Sequence, residues 1–377
     1  VIDILLASAV HYGVATNETE QISHVLASLS KVYPVSTKLL VRLRKTINTA
    51  SQRPTELLIE NPLWIEMIVL LRLIRPLTFA DSDNSLSYLP DLFHIVTMMC
   101  GVGPKVVKLC IHSTVINSVQ SLYSLPDCDR NVLQGLLKDL LDPKLSLPFG
   151  IAGTFKQDDK ISWDSTAEIT LPDSRSEVSL SGIELVIKCL YEVLSKGIVD
   201  PVKRIELKSR WMSLVASTAF HYNPAIQPRA FLALGFLARD NVDDDLLYQV
   251  LVALRGALGL FEENSCNLIV SILMCMTNIV DSLSRESRYL TSIFWLSISI
   301  LRIGHPDLYI PTLNLMNVTL NSISKMSDCM EGKSLNDILV QASEPLKGAL
   351  SKTDTFSILT LTADKFPLSM CAALTRT

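Results

Sequence analysis

The chain has 377 residues, of which 48% are hydrophobic and only 19% charged, with a mean hydropathy of +0.32. That balance suits helices buried on more than one side, as in the inner layers of a stacked array, and the length fits either one such array or two ordinary domains. A net charge of −4 excludes the global basic field that would hold a nucleic acid through counterion release.

Taken from its start, the sequence opens on the apolar run Val1–Val10, which carries Asp3 and no basic leader, so a signal peptide is not expected. Without an initiator methionine, it reads as a piece of something longer. Arg42, Arg44 and Lys45, with Arg72 and Arg75 further on, offer a local basic patch for an acidic partner or lipid head groups, or else a solvated helix face. After a polar break at Asp81–Ser85, a helix is predicted over Leu89–Met99. Gly101-Val102-Gly103-Pro104 then stops it, and a second helix is expected over Lys105–Tyr123, with Val107, Cys110, Ile111, Val115, Ile116 and Val119 on one side.

Lys156–Glu177 is polar, lacks helical periodicity and carries Pro172. Beyond it an amphipathic helix is predicted over Val202–Phe220. Asn223–Arg239 (NPAIQPRAFLALGFLAR) follows as its partner, with Asn223 as cap, Pro224 in the first turn, Gln227-Pro228-Arg229 early in the helix, and Gly235 where a neighbour must come close. Asp243, Asp244 and Asp245 head a helix with Leu246, Leu247, Val250, Leu251, Leu254 and Leu258 on one face. The next carries Leu268, Ile269, Ile272, Leu273, Met276, Ile279, Val280 and Leu283. Ser287–Ile303 and Pro306–Ser324 repeat this pairing through the turn Gly304-His305-Pro306, before a polar break at Ser327–Lys333. The uncharged run Asn264–Val280 approaches membrane-span length, but Asn267, Thr277, Asn278 and its helical apolar face make it a core helix.

The unit recurs at roughly forty residues, the spacing of HEAT and armadillo arrays. The expected fold is therefore all-α, an α-solenoid of stacked antiparallel helix pairs. Residues 1–155 form its N-terminal part, 156–178 a polar mobile insertion, and 179–377 the C-terminal part of the same solenoid. A linker between two separate domains is the competing reading of the insertion.

Catalytic patterns are missing. The sequence has no G-x-x-x-x-G-K-[ST] loop, no G-x-S-x-G elbow and no H-E-x-x-H helix. Gly101-Val102-Gly103 looks like the start of a dinucleotide loop, but Pro104 removes an N–H that would face a pyrophosphate, and a helix precedes it where a strand is required. The eight cysteines never form a C-x-x-C pair and lie mostly in apolar runs, which predicts reduced, buried thiols. Cys110 and His112, the closest Cys/His pair in the sequence, sit two apart on a helix and point to different faces, so no metal site is expected there. No catalytic residue and no cofactor are expected.

Three blocks, Leu89–Leu122, Arg210–Arg239 and the Phe294-Trp295 helix running on to Asp307-Leu308-Tyr309, resemble the C-terminal helical region of the neurofibromin family. The matching positions include Leu89, Pro90, Phe93, His94, Gly103, Pro104, His112, Trp211, Tyr222, Asn223, Pro224, Gln227, Pro228 and Arg229. The Tyr-Asn-Pro and Gln-Pro-Arg elements are the more specific ones, and the resemblance spans about Leu89 to Leu320. That family, with its fungal Ira-type relatives, consists of very large Ras GTPase-activating proteins. The resemblance implies a parent that meets Ras through a GTPase-activating domain with an arginine finger. Neither that domain nor the lipid-binding module preceding this region has a counterpart here, so no family catalytic residue is carried over.

The resulting expectation is a non-catalytic cytoplasmic scaffold that supports dimer assembly and places the activating domain, touching membranes only peripherally if at all. The alternatives are an importin- or adaptor-type solenoid, which would need a ladder that Trp64, Trp163, Trp211 and Trp295 are too irregular to supply, and a peripheral membrane binder using the arginine patch.

Overall fold

The computed structural model describes residues 1–80, 85–151, 178–240, 242–261, 266–284, 287–327 and 334–343. The proposed insertion at 156–178 lies outside them except for its last residue, as do most of the breaks at 81–85 and 327–333, Trp163, Cys329 and Cys371. Among the described residues every regular element is a helix, and one isolated bridge joins Cys128 to Ile198. The all-α stacked-helix class expected from periodicity is the one found. Contacts divide the chain into two compact units, Val1–Leu237 and Ala238–Thr377.

The first unit begins with α1 (Ile2–Tyr12), α2 (Asn17–Leu29) and α3 (Val35–Ser51). Thr16 caps α2 by accepting from the Thr19 amide, and α3 buries Leu39, Leu40, Leu43, Ile47 and Ala50 at helical spacing. Next come α4 (Trp64–Ala80), α5 (Ser85–Met99), α6 (Lys105–Tyr123), α7 (Arg130–Leu141) and the short α8 (Pro143–Ser146). The unit closes with α9 (Leu180–Gly197), α10 (Pro201–Ala219) and α11 (Gln227–Leu237). Helix α5 is buried on every side from Tyr88 to Met99 and packs against α3, α6, α9, α10 and α11. It starts four residues earlier than its pattern suggested and runs through Pro90, because tertiary burial outweighs the local break that proline imposes.

The second unit contains α12 (Asp244–Gly259), α13 (Asn267–Ser282), α14 (Leu290–Leu301), α15 (Pro306–Ser327) and α16 (Leu335–Ser343). Asp243 caps α12 as expected, its carboxylate accepting from the Leu246 amide at 2.8 Å. The predicted pairs α12/α13 and α14/α15 pack together, α13 also packs on α15, and α16 covers α14 and α15. The Trp295 indole N–H donates to the Leu339 carbonyl at 3.2 Å, fixing α16 to α14.

The glycine turn between α5 and α6 is an inter-helix turn. Gly103 has φ +76°, and a Cβ placed there would stand 2.8 Å from Trp64 Cζ2. Both the left-handed backbone and the indole demand glycine. Gly103→Ala is expected to cost about 1–3 kcal/mol, read as a lowered urea midpoint with an unchanged slope.

Candidate functional site

The Asn223–Arg229 segment sends three polar side chains, Asn223, Gln227 and Arg229, to helix ends of the first unit. The last carbonyls of a helix have no partner inside it, and burial denies them water. Asn223 is fully buried, and its Nδ2 donates to the carbonyls of Ala50, Ser51 and Arg53 at 3.1, 3.3 and 3.0 Å, around the end of α3. Asn61 Nδ2 approaches the same end, donating to Ala50 and Arg53 at 3.2 and 3.3 Å. Each asparagine also turns its own chain, Oδ1 accepting from the amide two residues on, Ala225 at 3.1 Å and Leu63 at 3.1 Å.

The next two polar positions do similar work. Gln227 Nε2 donates to the Ala219 carbonyl at 2.9 Å, closing α10, and an Arg229 guanidinium N–H donates to the Cys100 carbonyl just past the end of α5. Pro224, Ala225 and Ile226 form a turn, so α11 starts at Gln227 rather than beside Asn223. The expectation that Asn223 caps α11 is corrected: its amide is committed to α3, and its side-chain oxygen caps only the turn. Pro228 falls in the first turn of α11, where no N–H is required, and Gly235 is buried within that helix.

Three residues of the expected basic patch, Arg42, Arg44 and Arg72, are engaged in ion pairs within the first unit. Arg42 pairs with Glu66 at 3.2 Å, and Arg72 holds both Glu20 and the Val14 carbonyl. Arg44 sits 3.0 Å from one oxygen of Asp91, as an ion pair without hydrogen-bond alignment, while Arg210 binds the other oxygen and donates to the Ser87 carbonyl at 3.1 Å. The Asp91 side chain is 2% exposed, so this knot ties α3, α5 and α10 around a buried carboxylate. Arg75 is half-buried, with its carbonyl accepting from Asn117, and Lys45 is exposed. The same residues that suggested a surface patch thus largely serve internal pairing.

Chemical reactivity is low in this interior. Burial pushes the thiols of Cys100, Cys110 and Cys189 up to about 12 and Cys128 up to about 11, which keeps them protonated and poorly nucleophilic. The six cysteines among the described residues form no disulfide with one another and are buried, as expected. Trp64, Trp211 and Trp295 are buried as well, so none serves a binding ladder; Trp211 meets Phe93 edge to face at 5.5 Å. Among the described residues no helix is long and apolar enough to cross a membrane.

In the second unit, Cys266, His305 and Asp307 bring ligand atoms within 4.8 Å of one another. Sequence reasoning missed this group, because 39 residues separate Cys266 from His305 and only the pairing of α13 with α15 joins them. The usable signal was positional: each of the three lies at or beside a helix start.

Two measurements test the first unit. Asn223→Ala removes the donor to three buried carbonyls and is expected to cost about 1–3 kcal/mol, seen as a lower denaturation midpoint. His94, fully buried, is held down to about 3, by burial first and the Arg44 charge second. Because its folded pKa lies below its unfolded value, the unfolded chain binds more protons between the two. The stability due to neutral His94 is therefore complete above about pH 6.5 and is lost as pH falls toward about 3. Between those limits wild type should lose up to roughly 1.4 kcal/mol per pH unit more than His94→Gln, measured by urea titrations across the acid range.

No protein-family model matches the chain. It is 20% identical over 314 residues to inhibitory regulator protein IRA1 of Saccharomyces cerevisiae (strain ATCC 204508 / S288c), an alignment covering 81% of this chain and 10% of that protein. It is also 20% identical over 313 residues to inhibitory regulator protein IRA2 of the same yeast, covering 78% of this chain and 10% of the relative. The chain therefore matches about a tenth of the length of these curated relatives. Such identity, sustained over most of the chain, makes it a distant homologue of the Ira-type inhibitory regulator proteins, the group its sequence blocks resemble.

Proposed function

We propose that the chain is a non-catalytic helical scaffold of a large neurofibromin-like regulator of Ras, supporting self-association and the placing of a GTPase-activating domain carried elsewhere in the parent protein. One observation carries this reading: the polar residues most specific to the resemblance, Asn223, Gln227 and Arg229, are used on helix ends rather than on a cleft. What such a segment supplies is shape. Exposed apolar side chains, Val199, Val202 and Ile205 before and within α10 and Tyr248 and Val252 on α12, offer surface for a second copy or a neighbouring part of the parent. The relatives' description as inhibitory regulators and their much greater length support a segment of this kind. A cytoplasmic location follows from the same reading.

The test is single-turnover GTP hydrolysis on Ras with and without an excess of the purified chain. A complete activating domain raises that rate by about 10⁵; the expected result here is no change, and acceleration would overturn the non-catalytic assignment. Light scattering across a concentration series checks self-association: a mass that stays monomeric throughout removes the dimer role from the proposal.

A further inference from the structure

We propose that Cys266, His305 and Asp307 form a zinc-binding site that staples the start of α13 to the turn between α14 and α15. Cys266 Sγ lies 3.5 Å from both ring nitrogens of His305. Bonds of about 2.3 Å to sulfur and 2.0–2.1 Å to nitrogen, at a tetrahedral angle, put a zinc thiolate and imidazole about 3.5 Å apart. The separation matches two zinc ligands once the ring turns to present one nitrogen to the thiolate, and the Asp307 carboxylate supplies a third within the same 4.8 Å group.

The surroundings support this use. The His305 ring is steered by the Asp307 backbone N–H, 3.3 Å from Nδ1, and by Phe261, whose ring meets it edge to face at 5.7 Å. Zinc on Nε2 leaves the ring proton on Nδ1, so the Asp307 N–H contact gives way on binding while Phe261 keeps the ring in place. Cys266 occupies the N-cap position of α13. It is buried, His305 is half-buried and Asp307 is exposed, so an ion has a path in from solvent. Thiolate and carboxylate together balance a divalent charge, and the soft sulfur with a nitrogen favours zinc over magnesium or calcium. Binding converts the thiol to a zinc thiolate and releases its proton to solvent. The fourth position is left for water.

The experiment is titration of the purified 377-residue chain with Co²⁺ as a spectroscopic stand-in, followed by Zn²⁺. A thiolate-to-cobalt absorption band that saturates at a single equivalent and is displaced by zinc is expected. Cys266→Ser and His305→Ala should abolish it, and Asp307→Asn should weaken binding by about tenfold or more. A Cys329→Ser, Cys371→Ser double variant should leave it unchanged. Far-UV circular dichroism confirms that each variant is folded. Absence of a thiolate band, or a band that survives in Cys266→Ser, overturns the site and leaves an ordinary thiol–imidazole contact.

Discussion

The constraint on which the first unit depends is the fate of backbone carbonyls at buried helix ends. Packing helices side by side hides their termini as well as their faces, and a carbonyl cut off from both water and its helix costs free energy comparable to a lost hydrogen bond. Short turns alone do not provide enough donors. Here the donors arrive from distant sequence: Asn223 reaches α3 from some 170 residues away, and Arg229 reaches the end of α5 from 129. Three helices are thereby held by side chains from one short stretch, which fixes where α11 starts and how it enters the stack.

Charge follows the same logic. With so few charged residues, a buried carboxylate is costly unless it is fully paired. Asp91 meets Arg44 and Arg210 from two other helices, and burial, assisted by the Arg44 charge, keeps the neighbouring His94 neutral. Such pairs favour one arrangement of α3, α5 and α10 over slipped alternatives, since displacing any of these helices by a turn would strand a charge in an apolar interior. Their contribution is to specify the packing, whereas the surrounding apolar contacts, such as Trp211 against Phe93, supply its cohesion.

These features bear on function through what they leave at the surface. Polar groups such as Asn223, Gln227 and Arg229 are turned inward, the thiols of Cys100, Cys110 and Cys189 are buried and held protonated, and apolar side chains stay exposed on α10 and α12. A segment organised this way suits holding other parts in place, in keeping with its distant kinship to much larger inhibitory regulators.

The sequence by itself determined the helical class, because apolar spacing of three and four residues persists through Lys105–Tyr123, Asp244–Gly259 and Asn267–Ser282 without strand-like alternation. It also determined the glycine turn before α6 and the Asp243 cap, both local rules of backbone conformation and hydrogen bonding. Only the tertiary structure decided the roles of the polar residues. Asn223 read as a cap for the helix following it, and the arginines read as a patch, because a sequence shows which groups can donate but not which distant carbonyl or carboxylate lies within 3 Å. Cys266 and His305 stayed unconnected for the same reason: hydrophobic periodicity reports which face of a helix is buried, while the partner brought against that face depends on how the helices stack.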